Sequence, residues 1–107
     1  MSPQGATSLS YADIEMQLDT HHVRCNGTEI SLGPIEFRLL RRLLENPGGA
    51  LSGNELIGAV WPGNVYVGAR TVDVHISRLR KSIRHSAHGD VIRTVWLGGY
   101  ALESQTA

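Results

Sequence analysis

The sequence predicts an α+β domain: a small N-terminal antiparallel sheet, three helices and a C-terminal β-hairpin. Three observations carry that expectation. Apolar and polar residues alternate through the first third of the chain, apolar residues recur at helical spacing from Pro34 to Arg84, and short strand-like runs return near the end. At 107 residues there is room for one domain. It is expected to fill residues 9–103, with 1–8 a linker or the remnant of a truncation and 104–107 a tail.

The sheet is read first. Ile14, Met16 and Leu18 fall on one face and Glu15, Gln17 and Asp19 on the other, the period of a half-buried strand. His22–Cys25 and Glu29–Leu32 continue the pattern around Asn26-Gly27, a strong signal for a tight hairpin turn. Leu9 to Tyr11 supplies a leading strand. His21 and His22, as neighbours on a strand, are expected to point to opposite faces.

Three helices follow. Pro34 suits a first helical position, where its missing N–H would be unpaired anyway. Phe37, Leu40, Leu43 and Leu44 form the apolar stripe behind it, with Arg38, Arg41, Arg42 and Glu45 toward water, and Asn46-Pro47-Gly48-Gly49 is the stop. Ser52 and Glu55 have capping-box spacing and open a second helix whose buried side is Leu56, Ile57, Val60 and Trp61. An unusually apolar loop, Pro62 to Ala69, leads to the third helix, expected from about Thr71 to Arg84. There Val72, Ile76, Leu79 and Ile83 must face the core, while Asp73, Ser77, Arg80 and Arg84 run along another face flanked by Val74, Arg78 and Lys81. Val91–Val95 and Tyr100–Leu102 read as the closing hairpin, with Gly98-Gly99 expected to supply positive φ at its turn.

Composition narrows the function classes. The chain is 41% apolar and 19% charged, an ordinary globular balance. Its formal charge is zero but unevenly spread. Residues 1–69 hold four Lys/Arg against seven Asp/Glu, and residues 70–107 hold six against three, five of those six between Arg70 and Arg84. One basic helix on a neutral domain marks an anionic partner. Cys25 is the single cysteine and reads as a strand residue, so no internal disulfide framework exists and a reducing compartment fits. No run approaches the roughly 18 apolar residues of a membrane span, and Met1–Ser8 lacks the features of a signal peptide, so a cytoplasmic location is expected. His85 and His88 have no companion at ligand spacing, so no metal is expected; nor is a cofactor. No nucleophile–base set or carboxylate pair can be assembled, and the chain is not read as an enzyme.

Two helices joined by a loop, the second cationic and followed by a hairpin, give the layout of a winged helix-turn-helix. An α-helix fits the major groove of B-DNA, and arginine is well shaped to read guanine or hold phosphate. Arg78 and Lys81 share one face, Arg80 and Arg84 its neighbour, so the four are expected to cover one broad surface.

A family resemblance rests on these segments. Gly33-Pro-Ile-Glu-Phe-Arg-Leu-Leu40, Leu51-Ser-Gly-Asn-Glu-Leu56 and Val60-Trp61 resemble the C-terminal effector domain of the OmpR/PhoB response regulators. The run from Asn64 through Arg70-Thr-Val-Asp-Val-His-Ile-Ser-Arg-Leu-Arg-Lys81 is similar to the PhoB branch, the phosphate-starvation regulators, and Arg93-Thr-Val-Trp-Leu-Gly-Gly-Tyr100 is similar to that family's wing. The resemblance covers residues 9–103. It implies a transcription factor that binds direct-repeat promoter DNA as a head-to-tail dimer, under control of a receiver domain and a cognate histidine kinase. It implies DNA contacts at Arg70, Thr71, His75, Arg78 and Arg80, with Arg78 reaching bases; backbone contacts at Trp61 and Thr94; and a wing contact at Tyr100. Ser77, Lys81 and Arg84 join the same candidate surface. The loop residues Asn64, Val65, Tyr66 and Val67 correspond to the segment that meets the sigma subunit of RNA polymerase.

Departures from the family pattern are Ser77, where another Arg often stands; Gly68-Ala69, where charged residues are common; and Trp96-Leu97, where the wing usually offers Arg to the minor groove. Trp61 reads as either core or a ring edge toward DNA, and His75 as either a DNA contact or a surface histidine. Asp73 is expected to pair with Arg70. The competing reading is a winged helix that binds a protein partner, favoured by Trp96-Leu97 and Val65-Tyr66-Val67 and opposed by the basic helix.

Overall fold

The computed structural model describes residues 8–11, 13–46, 48–61, 63, 67–84, 92–95 and 99–102, with the backbone alone at residues 69 and 84. Strands β1 (Ser8–Tyr11), β2 (Ile14–Gln17), β3 (His22–Cys25) and β4 (Thr28–Ile30) form an antiparallel meander in chain order. Leu9, Met16, Val23 and Ile30 stand opposite one another across it. The alternation works as expected: Ile14, Met16, Val23 and Cys25 are buried, while Glu15, Gln17, His22 and Arg24 are exposed. Asn26 (φ 54°) and Gly27 (φ 79°) make the two-residue turn, both in the left-handed region that a type I′ hairpin requires.

Two local expectations change. The strand expected at Glu29–Leu32 ends at Ile30, where the chain leaves the sheet toward the first helix. His21 is not on a strand: it has φ 60°, within the turn at residues 18–21, and its ring stacks on Phe37 with centroids 4.6 Å apart. Reversing the chain between β2 and β3 takes that residue out of the ladder. His22 alone stays in it, 3.7 Å from Glu29.

Helix α1 (Pro34–Glu45) starts at its proline and buries Phe37, Leu39, Leu40, Leu43 and Leu44 together with Glu36. It packs against α2, α3 and strands from both sheets, so it is the centre of the core. Helix α2 (Gly53–Val60) has both halves of its capping box: the Glu55 N–H donates to Ser52 Oγ at 3.1 Å, and the Ser52 N–H to Glu55 Oε1 at 2.8 Å. Leu56 and Val60 are buried; Ile57 and Trp61 pack only partly against the core. Helix α3 (Ala69–Arg84) begins two residues before the expected Thr71, since Ala69 and Arg70 favour helix and the Thr71 N–H bonds the Gly68 carbonyl at 3.1 Å. Val72, Ile76, Leu79 and Ile83 are its buried stripe, each at most 2% exposed.

Strands β5 (Ile92–Val95) and β6 (Gly99–Leu102) form the wing hairpin. Leu51 joins it from the α1–α2 connection, exchanging backbone hydrogen bonds of 2.8 and 2.9 Å with Tyr100. The role expected of Gly99 is corrected here. It lies in the strand opposite Val95, without positive φ, and is needed for closeness: a Cβ there would sit 2.9 Å from the Leu51 carbonyl oxygen. Pro62, Asn64, Val65, Tyr66, His85, His88, Val91, Trp96, Leu97 and Gly98 lie outside the described residues, as do the two ends of the chain.

Candidate nucleic-acid interface

The buried stripe of α3 fixes which residues look outward. At about 3.6 residues per turn, the face opposite Val72, Ile76, Leu79 and Ile83 is centred on Arg70, Val74 and Lys81, with Ser77 and Arg78 on either side. All five are exposed. Arg70 and Lys81 have no hydrogen-bond or ion-pair partner among the described residues, so their charges are available to an anion. Val74, 43% exposed, is the one large exposed hydrophobic among the described residues. The sequence named Val74 only as a flank. Its signal was there: an apolar residue half a turn away from the core stripe.

Both flanks of this ridge are tied down. On one side, His75 Nδ1 lies 2.6 Å from Glu36 Oε2 of α1, with the two side chains only 18% and 10% exposed. The Trp61 ring, at the end of α2, tilts against the same imidazole at 5.9 Å and 54°. Burial pushes the Glu36 carboxyl up, but the hydrogen bond to His75, its own backbone N–H and the charges of His75 and Arg78 outweigh it, leaving the group below the usual carboxylate range. A position in the first turn of α1 also favours the anion. Sequence reasoning missed Glu36 as part of this site. It stands in the apolar stripe of α1, one turn before Leu40, where a charge must find a partner.

On the other side, α3 holds the wing. Arg80 Nε donates to the Ile92 carbonyl at 3.2 Å and Nη2 to Thr94 Oγ1 at 2.7 Å, while the guanidinium lies over the Tyr100 ring, 5.6 Å from its centroid. The Tyr100 hydroxyl donates to Asp73 Oδ1. Burial, that hydrogen bond and the Asp73 charge push the phenol up to about 12, against a smaller opposing pull from Arg80. So Asp73 does not pair with Arg70 as expected; it faces the wing and takes Tyr100 instead. Nor do Arg78, Arg80 and Lys81 share one broad surface. Arg80 is turned aside by its bonds to β5, because its position lies near the core stripe rather than opposite it.

Of the sequence-derived candidates, the structure thus places Arg70, Thr71, Ser77, Arg78 and Lys81 on the exposed side of α3. It gathers Arg80, Thr94 and Tyr100 into one cluster with Asp73, and sets His75 and Trp61 at the junction of the three helices. Val67 is half-buried just before α3. Asn64, Val65, Tyr66 and the Arg84 side chain lie outside the described residues.

The arrangement matches known proteins along nearly its whole length. The family model described as "Transcriptional regulatory protein, C terminal" matches residues 27–102. A phosphate regulon transcriptional regulatory protein PhoB from Rhizobium meliloti (strain 1021) is 48% identical over 99 residues, which are 92% of this chain and 44% of that protein. The chain therefore spans under half the length of that relative. Among solved structures, the response regulator DrrB of Thermotoga maritima, an OmpR/PhoB homologue, superposes with a TM-score of 0.79 at 28% identity, over 92% of this chain and 45% of that one. The RstA DNA-binding domain of Klebsiella pneumoniae, solved in complex with the RstA box, gives 0.71 at 25% identity, over 91% and 97%. With a basic helix clasped between α1 and a hairpin wing, and a family model covering most of its length, the chain belongs to the C-terminal domains of transcriptional regulatory proteins, of the OmpR/PhoB winged-helix type and close to PhoB.

Proposed function

We propose that this domain, the DNA-binding end of a transcription regulator, lays α3 in the major groove of direct-repeat promoter DNA, head to tail with a second copy. The observation that carries the reading is the exposed ridge of Arg70, Val74, Ser77, Arg78 and Lys81 on a helix held along both edges. Arg70 and Lys81 supply phosphate contacts, which position the helix, and Arg78 reads a base edge. Val74 offers the apolar surface that suits a thymine methyl. Arg80 serves chiefly to hold the wing, although the family resemblance assigned it to DNA. Likeness to PhoB supports a role in the response to phosphate starvation, in the cytoplasm, downstream of a receiver domain and histidine kinase. The Asn64–Val67 loop is assigned to the sigma subunit of RNA polymerase on the same ground. Among the described residues no helix is long and apolar enough to cross a membrane.

Fluorescence anisotropy on a duplex with two direct half-sites about one helical turn apart, across a salt series, tests this reading. Binding is expected to be stronger than to a scrambled duplex and to weaken steeply with salt, with a slope of about −0.9 per phosphate neutralised. Binding that is absent, or indifferent to salt, overturns it and leaves the protein-partner reading.

A further inference from the structure

Positive charge gathers at a second place, away from α3. Residues 1–69 hold four basic residues, and three of them, Arg38, Arg41 and Arg42, stand together on the solvent side of α1. Arg38 is two residues on from Glu36, so it lies about 160° around the helix from the contact with His75. Two hollows meet on this side. One, of about 480 Å³, is lined by Leu32, Pro34, Phe37 and the His21 ring stacked on it, together with Arg38 and Arg41. The other, of about 400 Å³, shares Arg38 and Arg41 and continues to Arg42, Glu45 and Ala59 of α2. The shared arginines join them into one groove, apolar toward the sheet and charged toward α2. Its charge is not balanced from within. Arg38 has no hydrogen-bond or ion-pair partner among the described residues. Arg41 and Arg42 share the carboxylate of Glu45, at 3.3 and 3.5 Å, and the Arg42 Nε is left without a hydrogen-bond partner.

We infer that this groove is a docking site for an acidic peptide segment of a protein partner, with an apolar side chain against Leu32, Pro34 and Phe37 and carboxylates on Arg38 and Arg41. Guanidinium groups take carboxylates through paired hydrogen bonds, and three-residue spacing puts Arg38 and Arg41 on one side of α1. The apolar residues beside them exclude water from the pairing, which strengthens it. A nucleic acid suits the groove less well. Glu45 stands within it, Asp19 lies in the same turn as His21, and residues 1–69 carry four basic residues against seven acidic ones. That balance repels a long polyanion, whereas a short acidic segment touches the groove alone. A phosphate backbone also offers nothing to the apolar residues. Since α1 separates the groove from α3, a partner held here leaves the ridge of Arg70, Arg78 and Lys81 open to DNA.

The test is a titration of the isotope-labelled chain with short synthetic peptides, followed in its amide NMR spectrum. One peptide carries a tryptophan flanked by glutamates, a second has glutamine for every glutamate, and a third has serine for the tryptophan. The first is expected to give saturable shifts centred on His21, Leu32, Phe37, Arg38 and Arg41. The second and third should bind more weakly by about tenfold or more, the loss of a charge-assisted hydrogen bond or of the anchor. A chain carrying R38Q and R41Q should show the same loss toward the first peptide while keeping its urea midpoint, both residues being exposed. A chain carrying R38E and R41E should instead prefer a peptide with lysine in place of glutamate. Anisotropy with duplex DNA is expected to be the same for the R38Q, R41Q chain as for wild type, in affinity and in salt slope. No saturable shifts with the first peptide, shifts centred elsewhere, or equal binding of the glutamine peptide overturns the inference. A DNA salt slope lowered by R38Q and R41Q also overturns it, by giving these arginines to nucleic acid.

Discussion

Tyr100 shows how much a single side chain can change its character by where it is packed. The phenol is 6% exposed and gives its proton to Asp73, so ionisation costs both solvation and a hydrogen bond. Its pKa moves from 10.0 to about 12. In that interval the unfolded chain releases a proton that the folded chain keeps, so stability is intact below 10.0 and falls as pH rises toward about 12. An alkaline absorbance titration should show one late tyrosine that is missing in Y100F. A tyrosine set that titrates in a single step near 10 would contradict the placement. The basic residues of α3 divide in the same way, by neighbour. R78A should cost about 1–3 kcal/mol on a cognate site and relax discrimination, and K81A should weaken all DNA alike and lower the salt slope by about one. R80A is expected to weaken binding through the loosened wing, with little change in slope. A slope reduced by R80A as much as by K81A would return Arg80 to the phosphate contacts.

Among the elements, the wing depends on backbone approach as well as side chains. β6 is hydrogen-bonded to β5 on one edge and to Leu51 on the other, and Gly99 lets the second contact close. Both the Leu51 backbone and the strand would have to shift to admit even a methyl group. G99A is therefore expected to destabilise the domain by about 1–3 kcal/mol, as overpacking does, measured by urea unfolding. An unchanged midpoint would mean that the wing does not lean on this connection. Helix α3 gains its fixed orientation from both edges: the apolar stripe sets its depth, and the two polar clasps set its rotation.

Over the whole molecule, Glu36 is where acid acts on the assembled core. It links α1 to α3, and its folded-state pKa is depressed below 4.5. A depressed carboxyl contributes stability above its unfolded value and loses it as pH falls through the folded one. Below about pH 4.5 the urea midpoint of the wild type should therefore drop more steeply than that of E36Q. Parallel curves would show that the pair contributes nothing across the core.

How far the sequence reaches depends on the range of the force that shapes each feature. The meander, the Asn26-Gly27 turn, the proline start of α1, the capping box of α2 and the buried stripe of α3 rest on spacing and on contacts a few residues apart. They were legible for that reason, and so was the basic helix that marks the candidate interface. The family likeness extended this reading to function. Features that join distant segments were not legible. Helical periodicity states which residues of α3 share a face, but not what packs against each edge. Only the folded core brings Glu36 to His75, 39 residues apart, and Asp73 to Tyr100, 27 apart. The same packing turns Arg80 from the exposed ridge of α3 to the wing and gives Gly99 a task of closeness in place of positive φ. Local sequence determined the elements and the charge they carry. Tertiary structure decided which charges remain for DNA, because a buried polar group must be satisfied by whatever the core places beside it.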